Sequence, residues 1–346
     1  MHEMLTNHPI RRKDVPCSSF STLIRDETER RAKFIIGGGP SGLSAALSFA
    51  RARRSAVLFD YGDYRNAPTH HMHTLITWDH QDPAELHTAA RKELFQGRYS
   101  TVKYSKTAVS AVAKLPDGTF KATDATGSKW VGDKLVLATG VTGILPDLPD
   151  FTECWGKQIY HCMFCHGFED TGAKSAGLLA IPPLINKDMC FTLACMVRQF
   201  SASLTYYTNA NQQLTDEIQL LLKPEAAMKV DARQIARVEP TAGGGITVHF
   251  ADGTSVHEAF LAYQPKTEAN VGMVKELGLE LAPSGAELKV NSPVNETNVA
   301  GCFAVGDLST PLKALALAVG SGSIAGPAIV QQFVKEGKAI TLDSSL

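Results

Sequence analysis

The stretch AKFIIGGGPSGLSAALSFARARRSAVLFD, residues 32–60, passes from a short apolar run into glycines, then into an Ala/Leu/Ser stretch of helix-forming composition, then into a second apolar run that ends on an acid. Gly37, Gly39 and Gly42 satisfy G-x-G-x-x-G in the strand–turn–helix context that gives the pattern its meaning. One glycine makes the tight turn, one lets backbone approach a pyrophosphate, and one lets the helix pack closely on the strand. Pro40 and Ser41 open the helix, whose free N–H groups and positive end suit a phosphate. Asp60 closes the second strand about 20 residues on, placed to accept hydrogen bonds from an adenosine ribose. A Rossmann-like dinucleotide fold follows, without a choice between NAD and FAD.

A chain of 346 residues exceeds a single core, so two domains are expected. Hydrophobic residues make up 44% and charged ones 20%, the composition of a well-packed soluble protein. A formal net charge of −1 leaves no electrostatic footprint for nucleic acid or an anionic membrane. The cysteines, Cys17, Cys154, Cys162, Cys165, Cys190, Cys195 and Cys302, are odd in number and irregular in spacing, which favours a reducing, cytoplasmic compartment over a secreted disulfide framework. No apolar run reads as approaching the roughly 18 residues that span a bilayer. The first 32 residues mix Arg11, Arg12, Lys13, Arg25, Arg30 and Arg31 with Glu3, Asp14, Asp26, Glu27 and Glu29, and lack the apolar core of a secretory signal. They read as a loosely ordered extension, with a transit peptide as the alternative.

The choice of cofactor comes from the far end. NVAGCFAVGDLSTPLKALALAVGSGSIAGPAIVQQFVKEG, residues 298–337, reads as a strand closing on Gly306-Asp307, followed by a small-residue helix from about 312 to 335. It resembles the final segment of flavoproteins with two dinucleotide folds. That resemblance implies that Asp307 contacts the flavin's ribityl and pyrophosphate region and that the helix, from Ala314 onward, aims its positive end at the isoalloxazine. LVLATG, residues 135–140, resembles the Ala138-Thr139-Gly140 strand end that returns the chain from the flavin domain in the same superfamily. Three separated segments then assemble one FAD site.

YHCMFCHGFED, residues 160–170, holds Cys162 and Cys165 in a C-x-x-C at a helix start. Such a pair closes a small disulfide loop, and the helix end lowers thiolate pKa. Zinc is the rival, although a structural site normally needs a second ligand pair and Cys190 and Cys195 are spaced otherwise. Inert buried cysteines remain a third reading.

An FAD site, an Ala-Thr-Gly strand and a C-x-x-C some 20 residues later resemble the low-molecular-weight thioredoxin reductases. The implied architecture is α/β with two Rossmann-like folds: an extension at 1–32, a discontinuous FAD-binding domain at 33–150 and 288–346, and an inserted, degenerate nucleotide-binding domain at 151–287 carrying the dithiol. A homodimer is carried over from that family. Those reductases have a second glycine fingerprint for NADPH after the dithiol. Here KSAGLLAIPPLINKDMCFTLACMVRQFSASLTYYTNANQQL, residues 174–214, keeps a strand–helix–strand rhythm at about 176–181, 188–200 and 203–208, but its loop reads Pro182-Pro183-Leu184-Ile185-Asn186. Two prolines remove two backbone donors, and no glycine permits close approach. The second strand ends in Thr208-Asn209-Ala210 without an arginine pair.

With no nicotinamide port, the dithiol is expected to be reduced by substrate and the flavin to be reoxidised by oxygen. CMFCHGFED, YRNAPTHHMHTLITWDHQDPAEL at 64–86 and TPLKALALA at 310–318 are similar to the thioredoxin-reductase-like dithiol oxidases that close the disulfide of gliotoxin-type epidithiodioxopiperazines. The resemblance, which spans about 33–340, implies FAD as cofactor, a small hydrophobic dithiol as substrate, Cys165 as the flavin-proximal thiol and Cys162 as the exchange thiol. His166 occupies the position of the reductases' acid/base aspartate and is the first candidate base, with His161 second. Lys313 stands where reductases have an arginine near the flavin pyrimidine. The imidazole-dense stretch at 70–80, with His70, His71, His73, His80 and Trp78, reads as a loop covering the flavin with an aromatic wall towards substrate; a metal cluster is the alternative, and no metal site is assigned. An NADPH-dependent disulfide reductase and a non-catalytic flavoprotein or metal-binding module are the competing readings.

Overall fold

The computed structural model describes residues 32–223 and 227–336. The expected extension before Ala32 and the last ten residues lie outside them. Strand β1 (Ala32–Ile36) is covered on both faces, which is why Phe34-Ile35-Ile36 reads as a continuous apolar run rather than an alternating one. Helix α1 (Pro40–Arg51) returns the chain to β2 (Ala56–Phe59), parallel to β1 with Ile36 opposite Phe59. Helix α2 (Pro83–Phe95) then leads to β3 (Val102–Ser105), parallel to β2.

An antiparallel meander follows, of β4 (Val109–Lys114), β5 (Phe120–Asp124) and the long β6 (Lys129–Leu137). The first half of β6 pairs with β5, while its second half runs parallel to β1, with Ile36 opposite Leu137.

After β7 (Val141–Ile144) and the short helix α3 (Phe151–Cys154) a second sheet begins. Its strands are β8 (Ile159–Tyr160), β9 (Ala176–Leu179), β10 (Leu204–Tyr207), β11 (Met228–Asp231) and, after an antiparallel ribbon β12 (Ile235–Pro240), β13 (Ile246–Phe250) and β14 (Ser255–Glu258), β15 (Leu261–Ala262). The order β11-β10-β9-β15-β8 is parallel throughout, with α4 (Met163–His166), α5 (Lys187–Val197) and α6 (Gln212–Gln219) between strands. The predicted strand–helix–strand after the dithiol corresponds to β9, α5 and β10.

Strand β16 (Lys266–Ala269) pairs antiparallel with β7, so the two crossings between the sheets form one ribbon. The chain then returns to the first sheet as β17 (Cys302–Ala304), parallel to the end of β6. The first sheet is thus built from both ends of the described chain, in the order β3-β2-β1-β6-β5-β4 with β17 on β6. Apolar clusters fill both of its faces, one around Phe49, Leu58 and Phe303, the other around Phe34, Phe59 and Leu135.

Helix α7 (Leu315–Lys335) ends the described chain. Its start is three residues later than the sequence pattern suggests. The reading of apolar runs needs correction here, because α7 is long and apolar enough by length and composition to cross a bilayer. Its Ala, Gly and Ser residues hide that apolarity residue by residue. Here α7 is the packing partner of α1: a Cβ on Gly322 would lie 2.1 Å from the Ser41 carbonyl oxygen, and one on Gly326 2.4 Å from Ser48 Cβ. Ala325 and Ile329 are fully buried on that side.

Candidate active site

Registry explains how three distant segments meet. Ile36 lies opposite Leu137, and Leu137 opposite Ala304, so β1, β6 and β17 end level with one another. Gly37–Gly42, Ala138-Thr139-Gly140 and Gly306-Asp307 therefore emerge at one edge. Gly37 has a left-handed φ of +108°, and a Cβ there would lie 2.3 Å from the Ala138 carbonyl oxygen. A Cβ on Gly42 would lie 1.8 Å from Gly37 O, and one on Gly306 2.6 Å from Ser41 Oγ.

Gly39 is different, for a Cβ there meets nothing within 4 Å. As N-cap of α1 it supplies no side-chain acceptor, and the first turn holds no acid. The uncapped, positive end of α1 thus has open space at Gly39, a cradle for a pyrophosphate. The start of α7 at Ala314 is likewise uncapped and free of acids. These two bare helix starts and the space at Gly39 fit FAD.

Asp60 is buried at the end of β2, where Oδ2 accepts from the Tyr64 and Tyr104 hydroxyls at 2.6 and 3.0 Å and Oδ1 from the Gly62 amide at 3.0 Å. Of about four acceptor positions on a carboxylate, one on Oδ1 is left for a ribose. Lys313 lies in the turn between Asp307 and α7. Its ammonium donates to Glu287 Oε1 at 2.5 Å, to Asp307 O at 2.8 Å and to Thr310 O at 2.6 Å. All three protons are used, and Lys313 pins the turn that follows Asp307.

Cys162 and Cys165 form a disulfide, with Cα atoms 5.2 Å apart. Cys162 is the N-cap of α4, and Cys165 lies within its single turn. Both are partly exposed. The remaining described cysteines, Cys154, Cys190, Cys195 and Cys302, are free.

His161 stacks on Trp155 at 5.6 Å between ring centroids, and His166 stacks on Tyr160 at 5.0 Å. Arg65, from the segment after β2, donates from Nη1 to Asp307 Oδ2 at 2.9 Å and from Nη2 to His161 Nε2 at 3.3 Å. A guanidinium only donates, so Nε2 is the acceptor and the His161 proton sits on Nδ1. One side chain thereby links the dithiol segment to Asp307 in the turn after β17. Burial, the neighbouring Arg65 charge and His166 push His161 down to about 3. Burial, with His73 beside it and Glu169 opposing, pushes His166 down to about 4. Both imidazoles are neutral near neutral pH and able to accept a proton, although His166 is a weaker base than a histidine poised near 7.

The loop 71–81 leans over the dithiol turn. His73 Nε2 and His80 Nδ1 lie 3.4 and 3.5 Å from Glu169 Oε1, and the His73 ring is 6.3 Å from that of His166. On the other side, the Thr139 hydroxyl donates to Asn270 O at 2.7 Å and Asn270 Nδ2 donates to Thr139 O at 3.0 Å, fastening the Ala-Thr-Gly turn to the end of β16. Sequence reading missed Arg65, Glu169, Glu287 and Asn270 as site residues. Arg65 and Glu169 fall inside quoted motifs, but nothing local marks their partners.

At the second sheet the loop after β9 carries a cis Pro182–Pro183 bond and buries Leu184. Asn186 caps α5, its Oδ1 accepting from the amides of Asp188 and Met189 at 3.0 and 3.1 Å, and Asp188 puts an acid in the first turn. Where α1 has no side-chain cap and no acid in its first turn, α5 has two amides capped and a negative charge added. Asn209, at the end of β10, accepts from the Ile235 amide at 2.7 Å. The cleft there, about 290 Å³ and lined by Pro146, Asp147, Leu148, Ile181, Pro182, Asn209 and Ile235, has no cationic side chain in its wall.

The pyridine nucleotide-disulphide oxidoreductase family matches residues 32–177. The thioredoxin reductase aclD of Aspergillus oryzae is 43% identical over 305 residues, covering 88% of this chain and 97% of that protein. The thioredoxin reductase tcpT of Claviceps purpurea is 42% identical, covering 84% and 91%. Among solved structures, an oxidoreductase from Agrobacterium tumefaciens superposes with a TM-score of 0.78 at 31% identity, covering 88% and 99%. With two dinucleotide folds, a C-x-x-C disulfide and a flavin cradle already in place, these likenesses assign the chain to the thioredoxin reductase family, whose members are FAD-binding oxidoreductases.

Proposed function

We propose that this protein is an FAD-dependent dithiol oxidase, closing an intramolecular disulfide in a small apolar dithiol with molecular oxygen as the acceptor and hydrogen peroxide as the second product. The observation that carries the reading is Asn186 Oδ1 seated on the amides of Asp188 and Met189. That contact, with two prolines ahead of it, occupies the donors on which the pyrophosphate of a reducing NADPH would rest.

Reducing equivalents then come from the substrate. One substrate thiolate attacks Cys162 Sγ, the Cys162–Cys165 bond breaks, and Cys165 leaves as thiolate. The second substrate thiol attacks the sulfur of its own mixed disulfide, which closes the product ring and releases Cys162. The two substrate protons pass to the enzyme thiols, with the neutral imidazole of His166, one residue from Cys165, holding a proton between donor and acceptor. FAD held by the Gly37–Gly42 turn, Ala138-Thr139-Gly140 and Asp307 would supply the two-electron acceptor for the reduced pair, with oxygen as the final oxidant. Arg65 holds His161, and with it the dithiol segment, against Asp307. Phe164 and Phe168, exposed by 76 and 77%, sit in the dithiol turn one and three residues from Cys165 and add apolar surface there, which suits a small hydrophobic dithiol.

Anaerobic titration of the purified flavoprotein tests the proposal. A small dithiol is expected to bleach the flavin stoichiometrically, NADPH to leave its absorbance unchanged, and air to restore the oxidised spectrum with one peroxide per disulfide formed. The second reading, an NADPH-dependent disulfide reductase, is supported by the names of the relatives, and bleaching by NADPH would establish it.

A further inference from the structure

We propose that His73, His80 and Glu169 form a binding site for a divalent transition-metal ion, with zinc as its best match, at the outer side of the dithiol turn. The backbone explains how the histidines meet. Met72 N donates to Gln81 O and His80 N to Met72 O, both at 2.8 Å, closing the loop into a narrow neck. Thr74, Thr77 and His80 take left-handed φ values of +65°, +72° and +59° inside it, so the loop turns back on itself. His73 and His80 thereby come within 5.3 Å between ring centroids. Glu169 arrives separately, from the single turn after Cys165.

The distances match a ligand set better than a hydrogen-bonded cluster. Glu169 Oε1 lies 3.4 Å from His73 Nε2 and 3.5 Å from His80 Nδ1. Both exceed the roughly 2.7–3.2 Å of N–H···O bonds. A tetrahedral zinc with bonds of about 2.0–2.1 Å places its ligand atoms about 3.3 Å apart. All three ligand atoms lie within 4.8 Å of one another. A surrounding shell is also present: Asp79 Oδ1 faces the other nitrogen of His73 at 3.7 Å and is itself held by the Thr74 amide at 2.8 Å, while the His71 ring stacks on His80 at 4.1 Å. Two imidazoles and one carboxylate leave the fourth zinc position to water. His80 and Glu169 are exposed, so the ion enters from solvent. Binding ties the loop 71–81 to the dithiol turn, and it does not depend on which reductant the enzyme uses.

The test uses the full flavoprotein with its Cys162–Cys165 disulfide intact and no thiol present, so that zinc cannot go to reduced cysteines. After treatment with a chelator and its removal, zinc is titrated against a chromophoric indicator and bound metal is counted by elemental analysis. One zinc per chain is expected, weakened more than about tenfold in His80→Ala and in Glu169→Gln and unchanged in His70→Ala. Cobalt is expected to give the intense visible absorption of a tetrahedral site in the wild type and to lose it in both cluster variants. Zinc binding by the variants equal to that of the wild type, or no zinc retained by the wild type, overturns the assignment.

Discussion

Arg65 Nη1 lies 2.9 Å from Asp307 Oδ2 across 242 residues of sequence, and the other arm of the same guanidinium reaches His161, next to Cys162. Asp307 and the start of the dithiol are therefore held by one side chain. The pair is partly exposed, at 29 and 20%, so as a contribution to stability it is worth only about 0.2–1 kcal/mol. Its larger effect is on alignment.

Replacing Arg65 by Gln is expected to leave flavin content and melting temperature nearly unchanged while slowing dithiol-driven flavin reduction about tenfold in stopped flow, since a misplacement of about 1 Å is costly at a reacting centre. Arg65→Lys should recover little, because a single ammonium does not reproduce the two-armed contact. A wild-type rate in Arg65→Gln would remove the bridge from the reaction.

Two glycines that look alike in the sequence should fail in different ways. A Cβ on Gly322 meets the backbone of Ser41 at 2.1 Å and of Ala45 at 3.1 Å, so Gly322→Ala forces α1 and α7 apart. Overpacking of this kind costs roughly 1–3 kcal/mol or more, and a melting temperature lower by several degrees is expected even in flavin-free protein. A Cβ on Gly39 meets no protein atom, and its φ of −69° suits alanine. Gly39→Ala should therefore melt as the wild type does when both are flavin-free, yet retain FAD more than about tenfold more weakly, since the methyl enters the space where the pyrophosphate approaches. Equal flavin affinity in the two proteins would show that the open space at Gly39 is not the phosphate cradle.

What was readable in the chain, and what was not, divides along sequence distance. β1, α1, β2, β9, α5 and β10 each follow from a local run of apolar residues broken by glycine, proline or a cap, and they lie close to where the pattern places them. α7 begins at Leu315 rather than 312 because the contacts of Lys313 with Glu287, Asp307 O and Thr310 O hold the preceding residues in a turn. The proline-bearing loop was legible as the loss of donors. The sealing of α5 by Asn186 shows only in the folded chain, where the asparagine's rotamer is seen. Arg65, Glu169 and Asn270 meet partners 242, 96 and 131 residues away, and no periodicity encodes such pairings. Nor does motif position specify where the flexible four-carbon chain of Lys313 ends, here on Glu287, 26 residues away.

His166 separates a proton-holding role from a merely structural one. His166→Ala opens a space beside Tyr160 but leaves the disulfide and the flavin cradle intact, so FAD should stay bound while thiol oxidation slows by about 10²-fold. Because the His166 pKa is pushed down to about 4, the wild-type rate attributable to this imidazole should persist down to about that pH, and the acid limb should vanish in the variant. Turnover that matches the wild type across the same pH range would exclude His166 from the proton path.

His161 and His166 also make folding sensitive to acid, with a sign fixed by their burial. Each is expected to bind a proton near 6.5 in the unfolded chain, but only near 3 and 4 respectively in the folded one. Between those limits the unfolded chain holds more protons, so stability falls as pH drops below about 6.5 and continues to fall towards about 4. Above that window both states leave the rings neutral and the two residues contribute no slope. Melting temperature should therefore be flat near neutrality and decline from about pH 6.5 to about pH 4.5. Replacing both histidines by glutamine removes the titrating groups while keeping polar side chains of similar reach. That double variant should show a shallower decline than the wild type over the same window, with unfolding free energies differing by on the order of a few kcal/mol at the acid end. Superimposable curves would mean that the rings are hydrated enough to protonate in place, and the neutral imidazole invoked beside Cys165 would lose its physical basis.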